Sequence, residues 1–206
     1  MASLFPAFLK LQGRTCLVVG AGAIAEQKLG GLLEAQASVV VVAPDASSMV
    51  VEHARTGLLE WRQREFIAAD LDGVSLVIAA TGNPQVNEDV FREADRRGIL
   101  CNAVDEPERC HFYYPAVVRR GDLQIAISTN GKSPALAQRL RVELEALFDS
   151  TYADWLQWLG QVRDLYFRTH VAREQRVRTL HQIASRPVFE RFRTSRRSAT
   201  SEVPHG

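Results

Sequence analysis

A short apolar strand that runs into a glycine turn and then a helix constrains this chain more than any other stretch. Thr15-Cys16-Leu17-Val18-Val19 is followed by Gly20-Ala21-Gly22-Ala23-Ile24-Ala25, a Gly-x-Gly-x-x-Ala turn, and helix-forming Glu26-Gln27-Lys28 comes at once. Gly20 permits a tight strand-to-helix turn, Gly22 lets the backbone approach a pyrophosphate, and Ala25 allows close helix–strand packing. The N–H groups and positive dipole end of the helix would then face phosphates. Taken alone, such a turn also occurs as a tight βα connection that binds nothing. Here a second apolar run, Ser38-Val39-Val40-Val41-Val42, follows at βαβ spacing, and the stretch reads as a dinucleotide-binding unit.

The rest of the chain extends that pattern. The first helix is expected from Ile24 to Ala35. The Val39–Val42 run shows no polar alternation, as in a strand covered on both faces of a parallel sheet. A helix capped by Ser47 or Ser48 reaches Arg55, and a short third strand lies within Leu58–Phe66. Leu76–Ala80 is a fourth buried strand, Pro84–Arg97 a helix with proline at its first turn, and Ile99–Val104 a fifth strand. Repeated strand–helix alternation predicts an α/β fold with an open, Rossmann-type parallel sheet. After Asp105 the pattern changes. Phe112–Arg119 and Leu123–Ser128 read as a hairpin, and a helix follows from Ala135 to Phe148. Tyr152–His170 and Glu174–Ala184 read as helices, with a shorter one near Val188–Phe192. The expected organisation is a dinucleotide-binding domain over 1–112, a dimerisation hairpin and helix over 113–149, a helical domain over 150–194, and a disordered Ser/Arg-rich tail over 195–206.

Charge and cysteine usage exclude several classes. Lys+Arg number 25 against Asp+Glu 24, which argues against a general nucleic-acid binder. Three cysteines form no paired framework, as in a reducing cytosol. The first residues lack the basic start and long apolar core of a signal peptide, and no run approaches the roughly 20 apolar residues of a membrane span. A soluble, cytoplasmic protein is expected.

In a doubly wound sheet the ligand sits beyond the carboxyl ends of the strands, where strand order reverses. Gly20–Ile24, Ala43–Asp45 and Ala80–Asn83 should therefore converge. An NAD site usually has an acid ending the second strand to accept from the ribose 2′-OH. Here the strand ends in Ala43-Pro44, with Asp45 slightly late. Asp45 reads equally as that acceptor and as a turn or capping residue. No arginine stands there for a 2′-phosphate, since Arg62 and Arg64 belong to the next strand; NAD is favoured over NADP. Asp105 and Glu106 fall at the carboxyl end of the fifth strand, where Asp105 reads either as a base or as a turn residue. Cys110-His111 lacks a second ligand pair, so no resident metal is expected, and His111 reads as facing solvent or substrate. Ser128-Thr129-Asn130-Gly131-Lys132-Ser133-Pro134 combines hydroxyls, an amide, a cation and a helix start, an arrangement suited to carboxylates.

These stretches together resemble the precorrin-2 dehydrogenases of sirohaem biosynthesis, a fold also found as the amino-terminal half of multifunctional sirohaem synthases. The similarity runs through Phe5-Pro6 to Leu11, Cys16–Gly22 with Ala25–Lys28, Val41–Pro44, Val77–Thr81 and Val86-Asn87. It continues through Cys101–Asp105, Phe112, Pro115–Gly121 and Ile125–Ala137, covering most of residues 5–150 in order.

The resemblance implies NAD-dependent oxidation of precorrin-2 to sirohydrochlorin by a homodimer intertwined through the hairpin and following helix. Some family members also insert iron, with Fe2+ as a substrate. The family's backbone contacts to NAD map to Ala23, Ile24, Pro44 and Asp45, beside Gly20, Gly22, Ala43 and Thr81. Its essential aspartate maps to Asp105. Thr129, Asn130, Lys132, Ser133, His111 and Arg119 are the expected contacts to a substrate rich in carboxylates. The alternative is a non-catalytic NAD(H)-binding sensor whose basic helical tail contacts DNA or a partner. A sensor would need the Gly20–Ile24 turn but not Asp105.

Overall fold

The computed structural model describes residues 3–169 and 171–201. The chain separates into two compact units, Met1–Tyr114 and Pro115–Gly206. In the first, β1 (Thr15–Val19), α1 (Ala23–Glu34), β2 (Ser38–Val42), α2 (Ser48–Arg55) and β3 (Glu60–Arg62) are followed by β4 (Leu76–Ala79), α3 (Pro84–Arg96) and β5 (Leu100–Ala103). All five strands are parallel, in the order β3-β2-β1-β4-β5. The order reverses between β1 and β4, the place the sequence pattern picks out for a ligand.

The apolar runs form these strands because both sheet faces are covered. Cys16, Val18, Val39, Val41 and Ile78 pack with Ala25, Leu29, Leu32 and Val50 from α1 and α2 on one face. Leu17, Val19, Val40, Val42, Val77 and Ala79 pack with Val90 and Ala94 from α3 on the other. Alternate residues of β1 thus feed opposite cores, and none of the four buried positions Cys16–Val19 can be polar without leaving a buried group unpaired. The β3–β4 connection carries only a 3-10 turn, Ala68–Leu71, rather than a full helix.

In the second unit β6 (Ala116–Arg120) and β7 (Leu123–Ile127) form an antiparallel hairpin. Gly121 takes φ +58° at the first central position of its two-residue turn, which a residue with a Cβ adopts poorly. α4 (Pro134–Leu147), α5 (Thr151–Arg168), α6 (Arg173–Ile183) and α7 (Arg186–Ser201) follow. Phe189, buried in α7, stacks on Tyr152 and Trp155 of α5 at 4.2 and 4.8 Å between ring centroids. That anchor corrects one expectation. The stretch read as a short helix and then a disordered tail from residue 195 is helical through Ser201, whereas residues 202–206 lie outside the described residues. Arg186 and Arg193 each pair with Glu190 one turn away at 2.5 Å, which supports a helix longer than the Val188–Phe192 segment expected. His170, the expected end of the fifth helix, also lies outside the described residues.

Candidate active site

The turn after β1 is forced by its glycine. Gly20 has φ +106°, and a Cβ there would meet the carbonyl oxygen of Ala80 at 2.4 Å. Its N–H donates to Val42 O at 2.9 Å, while Ala80 N–H donates to Val19 O at 2.8 Å. The ends of β1, β2 and β4 are thereby sewn together at the strand-order reversal. Gly22 is the N-cap of α1, makes no side-chain cap bond, and has open space where a Cβ would stand. The helix therefore presents its first-turn N–H groups uncovered, a cradle that fits a pyrophosphate. Ala23 and Ile24 are exposed beside it.

The other cofactor-side residues gather around this turn. Ser47 N–H donates to Ala21 O at 3.2 Å, tying the loop after β2 to the glycine turn. Ala43 is buried and its carbonyl accepts from Trp61 Nε1 at 3.0 Å; Pro44 and Asp45 are exposed. The side chain of Ser47, not Asp45, caps α2 by accepting from Val50 N–H at 3.4 Å. Of the readings open for Asp45, helix capping is thus removed. Thr81, at the end of β4, is braced by buried Asn87. Asn87 Oδ1 accepts from Thr81 N–H at 3.2 Å and lies 2.7 Å from Thr81 Oγ1, and Asn87 Nδ2 donates to Thr81 O at 3.3 Å. Thr81 Oγ1 also lies 2.9 Å from Asn83 O. Its polar atoms face inward, so Thr81 offers a dinucleotide surface and position rather than a free hydrogen bond.

Asp105 stands at the carboxyl end of β5, one strand beyond β4. Val104 N–H donates to Ala79 O at 2.9 Å, and Glu106 N–H donates back to Ala103 O at 3.2 Å, closing a turn around Val104 and Asp105. Asp105 occupies its third position at φ +62°, where glycine or asparagine is favoured. A left-handed conformation costs a non-glycine residue roughly 1–2 kcal/mol, less for Asp than for most, and such outliers cluster at functional sites. The side chain is exposed at the ligand end of the sheet. Glu106 instead belongs to the framework: its carboxylate accepts from Asn87 Nδ2 at 3.2 Å and pairs with Arg109, which donates to Glu88 at 3.0 Å.

His111, expected to face solvent or substrate, is exposed, and both of its ring nitrogens are committed within the first unit. Nδ1 accepts from the N–H of Cys101 at 3.0 Å, so the ring proton belongs to Nε2, which lies 3.1 Å from Asp95. The ring packs on Phe91 at 5.1 Å. Cys101 and Asp95 belong to the beginning of β5 and the end of α3, away from the strands' carboxyl ends. Neighbouring Cys110 is a brace too, its sulfur 3.1 Å from Ala103 O and accepting from Asn102 Nδ2 at 3.3 Å. Burial pushes the Cys110 thiol up, and pushes Cys16 to about 11 and Cys101 to about 12, which rules out thiolate chemistry near neutral pH.

In the second unit the loop before α4 has its own order. Asn130 (φ +54°) and Gly131 (φ +75°) turn the chain, Thr129 Oγ1 accepts from Ser133 N–H at 3.2 Å, and Ser133 Oγ caps α4 by accepting from Leu136 N–H at 3.2 Å. Both hydroxyls keep a proton to donate. Lys132 is exposed there, and Arg119 is exposed on β6, in register with Gln124.

Known proteins share this plan. Residues 7–116 match a family described as NAD(P)-binding, and residues 120–147 match one described as the central part of a sirohaem biosynthesis protein. The chain is 43% identical over 159 residues to the siroheme synthase of Photorhabdus laumondii and 42% identical over 159 residues to that of Methylococcus capsulatus. Each alignment covers 77% of this chain and 34% of the relative, so the chain spans about a third of the length of the curated relatives it matches. The solved structure of SirC, a precorrin-2 dehydrogenase, superposes with TM-score 0.79 at 30% identity, covering 93% of this chain and 98% of SirC. The chain belongs to the precorrin-2 dehydrogenase family.

Within this family's fold, two supporting residues have a role that the sequence did not assign to them. Asn87 shares the buried face of α3 with Val90 and Ala94, and a polar residue on an apolar helical face was the signal available for it. Asp70, 3% exposed, holds Arg62 and Arg64. Nothing local announces it, because its partners lie on an adjoining strand and the loop that follows.

Proposed function

We propose that this protein catalyses the NAD-dependent oxidation of precorrin-2 to sirohydrochlorin in sirohaem biosynthesis. The observation that carries the reading is Asp105, an exposed carboxylate in left-handed backbone at the ligand end of β5. It stands two strands from a glycine turn whose helix N-terminus fits a pyrophosphate. The oxidation removes one hydride and one proton from the macrocycle. Hydride acceptance is the chemistry NAD supplies when bound. The chain's part is to take the proton and fix the geometry. Asp105 accepts the proton as general base, a role worth ~10²–10⁴ in rate. Gly22, Ala23 and Ile24 hold the diphosphate through backbone N–H groups and Gly20, whose N–H is bound to Val42 O, makes the turn beneath it, while Ala43, Pro44, Asp45 and Thr81 shape the adenosine and nicotinamide sides. Thr129, Asn130, Lys132, Ser133 and Arg119 are the proposed donors to substrate carboxylates. Incubation with precorrin-2 and NAD should yield sirohydrochlorin and NADH in equal amounts; no product with NAD bound would refute the proposal.

Iron insertion is a second activity, supported by the similarity to siroheme synthases. Fe2+ would enter there as a substrate. Addition of Fe2+ and sirohydrochlorin should give the sirohaem absorption, and an unchanged spectrum would limit the protein to oxidation. A homodimer formed through β6, β7 and α4 is supported by exposed Leu136, Val142 and Leu147 on α4. Light scattering should give twice the 23.0 kDa chain mass, and a monomer would refute it. No helix of the described residues is long and apolar enough to cross a membrane. Three unpaired cysteines support the cytoplasm as its place.

A further inference from the structure

The first unit carries a charged cluster that the oxidation does not use. Arg62 closes β3 and Arg64 follows two residues on. Both reach a single carboxylate: Arg62 Nη1 donates to Asp70 Oδ1 at 3.0 Å, and Arg64 donates to Oδ2 at 2.7 Å and to Oδ1 at 2.5 Å. Ile67 N–H adds a further donor at 3.0 Å. The Asp70 side chain is 1% exposed, whereas those of Arg62 and Arg64 are 36% and 41% exposed. Glu60 accepts from Arg62 Nε at 2.7 Å. Two guanidinium groups therefore meet two carboxylates, and the cluster carries no net charge.

Its position gives it meaning. Val42, the last residue of β2, pairs in register with Arg62, and Ala43 N–H donates to Arg62 O at 3.3 Å. The carboxyl end of β2 is where such sheets read the adenosine ribose, and a nearby arginine is what accommodates a 2′-phosphate. This chain has two arginines beside that place, both already engaged.

We propose that Asp70 is a specificity-determining residue: it clamps Arg62 and Arg64 in a neutral cluster beside the end of β2, denies them to a 2′-phosphate, and so sets NAD over NADP. The inference rests on the dinucleotide reading of the glycine turn. A 2′-phosphate carries between one and two negative charges and would have to break charge-assisted bonds to Asp70 to be held. A 2′-hydroxyl brings no charge and needs only an acceptor. Burial pushes the Asp70 carboxyl up, but the donors from Arg64, Ile67 and Arg62 outweigh it and hold it at about 2, so the clamp stays ionised at neutral pH.

The test is calorimetric titration of the whole chain with NAD and with NADP. The wild-type protein should favour NAD by at least about tenfold, and Asp70→Asn should tighten NADP by about tenfold while moving NAD by less than about threefold. Adding Arg62→Gln and Arg64→Gln to that variant should cancel the gain, which general loosening of the fold would not do. Glu60→Gln alters an exposed side chain, should tighten NADP about twofold, and decides the matter if the Asp70 variant does not fold. Unchanged NADP affinity in the folded variant, or a gain that survives loss of both arginines, overturns the clamp while leaving the proposed oxidation standing. Failure of the wild-type protein to bind either dinucleotide overturns the glycine-turn reading and the clamp together.

Discussion

Single residues set the sharpest limits on this site. Gly20 combines φ +106° with a carbonyl oxygen 2.4 Å from where a Cβ would stand, so Gly20→Ala suffers strain and overlap together. A loss of at least about 3 kcal/mol is expected in chemical denaturation, larger than at Gly22, where the space is open. His111 tests the framework role that its two hydrogen bonds suggest. It anchors the start of β5 through Cys101 N–H, so His111→Ala should cost about 2 kcal/mol of stability and leave the KM for the tetrapyrrole unchanged. A raised KM with full stability would restore the substrate-facing role. The glycine turn was legible in the sequence because its chemistry is local: three small residues at fixed spacing. His111 was not, because its partners, Cys101 and Asp95, are 10 and 16 residues away and are brought to it only by the closing of the sheet.

At the scale of elements, continuous apolar runs made β1, β2 and β4 readable, since strands covered on both faces have no reason to alternate. The β3–β4 connection was harder: no periodic pattern marks the 3-10 turn that stands where a crossover helix is usual. The C-terminal helix α7 was cut short by composition, because Ser, Arg and Thr suggest disorder until Phe189 is seen anchored against α5. Asn87 shows how one element disciplines two loops. From the first turns of α3 it binds Thr81 after β4 and Glu106 beside Asp105. Asn87→Ala leaves the Thr81 N–H and the Glu106 carboxylate each short of a partner in a half-buried setting. We expect a loss of about 2–3 kcal/mol by thermal or urea unfolding, with weaker NAD binding; retained stability would mean that the loops hold themselves.

For the molecule as a whole, stability should fall in acid from few sources. Asp70 is held at about 2 in the folded chain, below its value near 3.9 when unfolded, so its contribution is complete above about pH 4 and disappears as pH falls toward 2. That contribution is about 2 kcal/mol. Glu93, held at about 2 by hydrogen bonds from Arg96 and Arg97, acts in the same direction. Unfolding followed against pH should therefore show a slope between pH 4 and 2 that is shallower in Asp70→Asn, and an identical slope would contradict the assignment. The two units also differ in what sequence reveals of them. The first is a repeating pattern in which each strand predicts the next, whereas the second depends on aromatic contacts between helices distant in sequence.

In the proposed reaction Asp105 takes a proton at a site that binds NAD without its help. The deciding measurement is Asp105→Asn assayed for NAD affinity, melting temperature and sirohydrochlorin production in one preparation. Asparagine suits φ +62° at least as well as aspartate, so the variant should melt no lower and bind NAD as the wild type does, while turnover falls by ~10²-fold or more. Turnover within a few-fold of wild type, with NAD bound, would remove Asp105 from the proton transfer.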